Sequence, residues 1–122
     1  MPSTVHQVAR YSVQVLNTRT GDHPKASMIV RLYSNRDETC GVAVFKDYGG
    51  QKPDLPSGDT GGTRATAYYD ITFYQPFIDI LRTEDELYWK IAWIQTGPNR
   101  RVSDVSLDTK KEIIGEFFTQ SD

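Results

Sequence analysis

Apolar and polar residues alternate with a period of two along most of this chain, which constrains the fold more than any other feature. Side chains of a β-strand point alternately to the two faces of a sheet, so this alternation predicts strands with one buried face. The predicted strands cover residues 5–17, 28–33, 40–45, 65–74, 87–94 and 102–107. Residues 111–118 fit a further strand or a helix, because a short apolar run is compatible with both.

One short helix is predicted over residues 76–84. Pro76 suits the first helical position, and Phe77, Ile80 and Leu81 form one apolar stripe that must pack on a sheet. The turns between the first three strands are too short for crossover helices, which predicts an antiparallel meander. Six or seven short strands with one short helix predict a single mainly-β domain spanning residues 1–122. Its architecture is expected to be an antiparallel β-sandwich or a partly open barrel.

Residues 46–64 interrupt the alternation and hold five of the nine glycines and two of the six prolines. They predict a loop of 19 residues within the domain. Loops of that length are commonly functional or disordered. The run from Gly58 to Thr63 contains Asp59 and is a candidate ligand or partner contact, because successive backbone amides in such a run can hold an anion.

A second candidate site is an aromatic sheet surface that would form if strands 65–74 and 87–94 pair. Its members share the solvent-facing parity and are Tyr68, Asp70, Thr72, Tyr74, Tyr88 and Lys90. The opposite parity of the first strand, from Ala67 to Phe73, is assigned to the core. Tyrosine combines an apolar ring with a polar hydroxyl, which suits recognition of a carbohydrate or a protein. Alternatively, these tyrosines fill a second layer of a sandwich.

The chain contains one cysteine, Cys40, and two histidines, His6 and His23. A single cysteine excludes an intramolecular disulfide, and this set is smaller than most metal sites draw upon, so no metal site and no cofactor is expected. We expect His6 to be a solvated strand residue and His23 a turn residue. An enzymatic alternative pairs Cys40 as nucleophile with one histidine as base. A strand supplies none of the usual features that activate a thiol.

The formal net charge of −2 argues against a nucleic-acid partner, since such proteins usually carry a clear basic excess. No apolar run approaches the roughly 20 residues of a membrane helix, so no membrane partner is expected. The first residues have neither a basic region nor an apolar one of the signal-peptide type, which predicts a cytoplasmic protein.

These observations favour a small, non-enzymatic binding or interaction module. Self-association into a homo-oligomer is expected, because sheet edges need covering and closed homo-oligomers are common. The ligand would be a carbohydrate or a protein surface. Two alternatives stay open: a small enzyme that uses Cys40 with a histidine, and a β-barrel that carries a small apolar ligand.

Overall fold

Eight strands, one 3-10 helix and one α-helix make up the described part of the chain, residues 2–16, 26–59 and 61–109 of a computed structural model. The strands are β1 (Ser3–Gln7), β2 (Arg10–Val15), β3 (Ala26–Tyr33), β4 (Thr39–Lys46), β5 (Ser57–Gly58), β6 (Ala65–Asp70), β7 (Leu87–Thr96) and β8 (Asn99–Thr109). The 3-10 helix, Ile71–Phe73, leads directly into α1 (Tyr74–Thr83). His23 and the ambiguous segment 111–118 lie outside the described residues.

The strands form two sheets that are not closed into a barrel. The larger has the order β2-β3-β4-β6-β5 and the smaller β1-β7-β8. The predicted mainly-β, sandwich-like fold with one short helix is therefore confirmed, with eight strands instead of six or seven. One pair, β4 with β6, runs parallel, because the connecting chain first adds β5 on the far side of β6. An open pair of sheets lacks the closed wall that a barrel-type carrier would need.

The prediction of one strand over residues 5–17 is wrong, because the chain changes sheets at Val8 and Ala9. The amide of Val8 donates to the Leu87 carbonyl at 2.9 Å, beside the smaller sheet. The next amide, that of Ala9, donates to the Tyr33 carbonyl at 2.8 Å, beside the larger one. The alternation of apolar and polar residues predicts that a segment is a strand, but it does not indicate which sheet the strand joins.

The predicted strand over 65–74 is also too long. It ends at Asp70, where a side-chain capped turn starts the 3-10 helix. As a result α1 begins at Tyr74, and Pro76 falls within the first turn, where an amide needs no intrahelical partner. Phe73, which the alternation assigned to the core, is 56% exposed.

The core lies between the two sheets and is completed by one face of α1. The helix contributes Phe77, Ile78 and Leu81, so its predicted packing on the sheets is confirmed. The largest fully buried side chains are Trp89, Phe45, Leu32, Ile91, Val30 and Cys40. No helix in residues 2–16, 26–59 and 61–109 is both long and apolar enough to cross a membrane.

Candidate functional site

The aromatic surface expected from the sequence does not form as one sheet face. Tyr68 and Asp70 belong to β6, which pairs with β4 and β5, whereas Tyr88 and Lys90 belong to β7, which pairs with β1 and β8. The assumed pairing of these two segments is therefore wrong. Thr72 leaves the sheet as well, because it lies in the 3-10 helix.

Asp70 and Thr72 instead build the turn that ends β6. One Asp70 carboxylate oxygen accepts the Thr72 amide at 3.1 Å and the Thr72 hydroxyl at 2.8 Å. The other accepts the Tyr48 amide at 3.3 Å. The hydrogen bonds of the Thr72 side chain and backbone, joined by that of Tyr48, outweigh the small effect of burial and lower the pKa of Asp70. The carboxylate thus stabilises the turn through two backbone amides and one side-chain hydroxyl.

The three tyrosines of the expected surface have separate surroundings. The ring of Tyr74 meets that of Phe45 edge-on at 5.4 Å and packs against the core. The ring of Tyr68 lies 5.2 Å from the Lys46 ammonium on the outer face of the larger sheet. The hydroxyl of Tyr88 donates to the Glu86 carboxylate at 2.9 Å. Their predicted role in binding stays a prediction, without the shared face on which it depended.

Asp59 organises the loop between β5 and β6. Its carboxylate accepts the Thr63 amide at 2.8 Å, the Arg64 amide at 3.1 Å and the Thr63 hydroxyl. Burial opposes ionisation of Asp59, but these hydrogen bonds outweigh it and lower the pKa of the carboxyl. The expected backbone cradle at this loop is therefore filled by the protein's own carboxylate.

Two long side chains from the smaller sheet hold this loop from outside. His6 on β1 contacts the Thr63 carbonyl through Nε2 at 2.6 Å. Arg100 on β8 donates to the Gly61 carbonyl at 3.1 Å, and its guanidinium stacks 3.8 Å from the centre of the Trp93 ring. Gly62 has a φ of +71°, and a Cβ atom there would lie 3.0 Å from Cδ1 of the same ring, so a side chain at this position would be strained and crowded. The loop position is thereby set by both sheets.

We expect Asp59→Ala to lower the free energy of unfolding by about 1 kcal/mol at pH 7, because amides of the loop lose their acceptor. A lowered pKa in the folded state means that this contribution is present above the unfolded value, 3.8, and is lost as the pH falls through the folded value. Urea unfolding at pH 7 and at pH 3 measures the effect.

The difference between Asp59→Ala and the wild type should shrink at the lower pH. Asp85→Ala removes an exposed carboxylate and is the matched control, with little change expected at either pH. Equal effects of the two substitutions at pH 7 would contradict the role assigned to Asp59.

A polar cleft of about 640 Å³ lies beside this loop. It is bounded by β1, by the turn between β3 and β4, and by the chain that enters β6. Its lining residues are His6, Ser34, Asn35, Arg36, Glu38, Thr39, Cys40, Thr63 and Arg64. Two arginines and one glutamate therefore line a space large enough for a small ligand.

The strand register of β1 places His6 in the lining of the cleft. It is half-buried there, whereas the sequence predicted a solvated strand residue. It lies opposite Trp89, a fully buried residue, in the β1–β7 pair. Residues directly opposite in an antiparallel pair share a face, so His6 is on the core side at the sheet edge. A carbonyl can only accept, so Nε2 of His6 carries the proton in the contact with Thr63.

Cys40 and His6 line the same cleft, which brings together the pair named in the enzymatic alternative. The Cys40 side chain is 2% exposed. Burial raises the pKa of its thiol, against a smaller opposing effect of its backbone hydrogen bond. A buried thiol with a raised pKa is mostly protonated near neutral pH and is a poor nucleophile.

Arg36 and Arg64 were not singled out from the sequence. Arg36 follows the turn residues Ser34 and Asn35, and Arg64 is the last residue of the long loop. A single arginine in a turn is usually a solvated charge, so nothing in the pattern joins the two. Within the described part of the chain, no group of three or more histidine, cysteine, aspartate or glutamate residues could hold a metal ion.

Comparison of the chain with protein-family models, with curated proteins and with solved structures finds no match to any of them.

Proposed function

We propose that this protein is a non-enzymatic binding module whose ligand is a small molecule with a carboxylate or phosphate group, bound in the polar cleft. The observation that carries the proposal is that two arginines, Arg36 and Arg64, line the cleft. Neither forms an ion pair within 4 Å among the described residues. The single cysteine is compatible with the reducing cytoplasm expected from the sequence.

The charge of the cleft supports an anionic ligand. Arg36 and Arg64 contribute two positive charges to its lining, and Glu38 is the only carboxylate among the lining residues. This excess of positive charge in the cleft contrasts with the net charge of −2 of the whole chain. A guanidinium presents several N–H donors in a planar fork, which matches the oxygens of a carboxylate or phosphate.

Neutral groups of the cleft would recognise the rest of the ligand. The hydroxyls of Ser34 and Thr39 can each donate or accept a hydrogen bond. With Nε2 of His6 donating to Thr63, its Nδ1 is left as an acceptor in the neutral ring. Hydroxyl groups and one acidic group are the chemistry of an acidic sugar, which narrows the carbohydrate expected from the sequence to an anionic one.

The enzymatic alternative has one observation in its favour, the common cleft of His6 and Cys40. The burial of the thiol is the argument against it. Labelling of native protein with a thiol reagent distinguishes the two functions. Slow labelling, at the rate of global unfolding, is expected for a binding module. Labelling within seconds at neutral pH would favour a reactive Cys40.

Titration of the ¹⁵N-labelled full chain followed by NMR tests the proposal. The ligands are glucuronate, glucose as its neutral counterpart, and inorganic phosphate. We expect glucuronate or phosphate to shift the amides of residues 34–39 and 63–64, and glucose to leave them unchanged. Binding by phosphate alone would indicate a phosphate group, and binding by glucuronate alone a carboxylate on a sugar.

Arg36→Gln should weaken that binding about tenfold, the effect of losing one charge-assisted hydrogen bond at an exposed site. Arg101→Gln removes an exposed arginine of β8 that does not line the cleft, and should leave the affinity unchanged. Equal losses in both variants would mean attraction by overall charge only. No amide shift in the cleft with any of the three ligands would refute the proposal.

A further inference from the structure

The edge of the larger sheet at β2 carries the most exposed apolar strand face in the described residues. In β2, Tyr11 is 37% exposed, Val13 40% and Val15 72%. These three side chains lie opposite Leu32, Val30 and Met28 of β3, on the face of the sheet that forms the core. They therefore extend the apolar layer of the core to the solvent-exposed edge of the sheet.

The other described edges differ from this one. The strand β8 carries several charged residues, which commonly block pairing between edges. The strand β5 has two residues. On β1, Val5 is the one apolar residue exposed by more than half. The strand β2 combines six residues and three exposed apolar side chains, and among the described strands only β3 pairs with it.

We propose that β2 pairs antiparallel with β2 of a second copy of this chain, about a two-fold axis near Val13. The strand is self-complementary in this register. Val13 would face Val13 of the second copy, and Tyr11 would face Val15. Ser12 would face Gln14 on the outer surface. Opposite residues of an antiparallel pair share a face, so apolar side chains would meet on one side and polar ones on the other.

The charge distribution of β2 is also compatible with a second copy of this chain as the partner. Arg10 is the only charged residue of β2 and forms an ion pair with Asp37 of its own chain. Its guanidinium also lies 5.0 Å from the ring centre of Tyr33. Because this cation is already engaged within the chain, two-fold pairing sets no unpaired like charges opposite each other.

The contact between two copies of β2 would be small. Six residues of strand are roughly 20 Å long. Such a strip buries less than the roughly 800 Å² per partner of a standard interface. We therefore expect a reversible dimer with a dissociation constant in the micromolar range. The homo-oligomer expected from the sequence would be this dimer, and it does not depend on a ligand in the polar cleft.

Sedimentation equilibrium of the full chain across micromolar concentrations, together with hydrogen exchange, tests the proposal. The wild type should approach twice the single-chain mass of 13.9 kDa as the concentration rises. Val13→Lys sets two lysines opposite each other and should leave the single-chain mass at the same concentrations. Val5→Lys places the same charge on the edge strand β1 and should leave the dimer intact.

Hydrogen exchange of the wild type needs no substitution, so it decides the matter even if Val13→Lys fails to fold. Those amides of Arg10–Val15 that point away from β3 should become more protected as the concentration rises. Protection that is independent of concentration would mean that another part of the same chain covers β2, and would overturn the proposal. A wild type that stays monomeric, or a dimer that only Val5→Lys dissociates, would also overturn it.

Discussion

Replacing Gly41 by alanine is expected to lower the free energy of unfolding by about 3 kcal/mol, the upper part of the range for overpacked cores. A Cβ atom at this position would lie 2.6 Å from Cδ1 of Trp89 and closer still to Nε1 and Cε2. Trp89 is fully buried between the sheets, so its indole has no space into which to move. The indole of Trp89, the largest side chain of the core, thus packs directly on Gly41.

Gly61→Ala is the matched control for this substitution. The nearest atom to a Cβ at Gly61 is 3.9 Å away, on Thr63, which is ordinary contact. We expect its stability to stay within about 0.5 kcal/mol of the wild type. Urea unfolding followed by tryptophan fluorescence measures both variants. Unchanged stability of Gly41→Ala would show that Trp89 does not pack on this glycine.

Phe45→Ala is expected to cost about 4 kcal/mol, as large aromatic truncations in cores do. Phe45 is fully buried, and three rings surround it, from Tyr69 at 5.3 Å, Tyr74 at 5.4 Å and Phe77 at 5.2 Å. The truncation would leave a cavity at the junction of β4, β6 and α1. Thermal unfolding by circular dichroism, combined with urea unfolding, measures the loss.

The control removes the same ring from the surface. Phe73→Ala truncates a side chain that is 56% exposed, so we expect a cost below about 1 kcal/mol. Comparable costs for Phe73→Ala and Phe45→Ala would mean that the aromatic cluster around Phe45 does not stabilise the fold. A large cost for Phe45→Ala alone would support Tyr74 as a core residue instead of a member of a binding surface.

The elements that were predicted well are those whose two faces have different neighbours. In β4, Ala43 and Phe45 point to the core while Lys46 turns outward, and in β7 the buried Trp89 and Ile91 alternate with the exposed Lys90. In β7 the alternation reflects burial directly, whereas in β4 Cys40 and Val44, on the parity of Lys46, are buried as well. The antiparallel pairing of β2 with β3 and of β3 with β4 agrees with the predicted meander.

The error at Asp70 was avoidable in part. An aspartate two residues before a threonine is a known turn signal, because its carboxylate can accept the amide and hydroxyl that follow. This signal competes with the alternation that continues through Phe73, and local capping prevails. The aromatic surface predicted for Tyr74 depended on the same overlong strand.

The polar cleft was not predictable from the pattern. His6, Arg36 and Arg64 come from β1, from a turn and from the end of a long loop, which are far apart in the sequence. Their meeting depends on which strands pair and on the change of sheet at Val8 and Ala9. No periodicity or residue spacing in the sequence predicts this strand pairing or this change of sheet.

The amino-acid sequence by itself determined the class of fold, the positions of most strands, the short helix and the apolar residues of the core. It could do so because side-chain alternation and turn chemistry act over a few neighbouring residues. Only the tertiary structure decided the parallel pairing of β4 with β6, the division of the strands between two sheets, and the cleft around His6. These features arise from contacts between distant segments, whose energies come from burial and register summed over the whole domain.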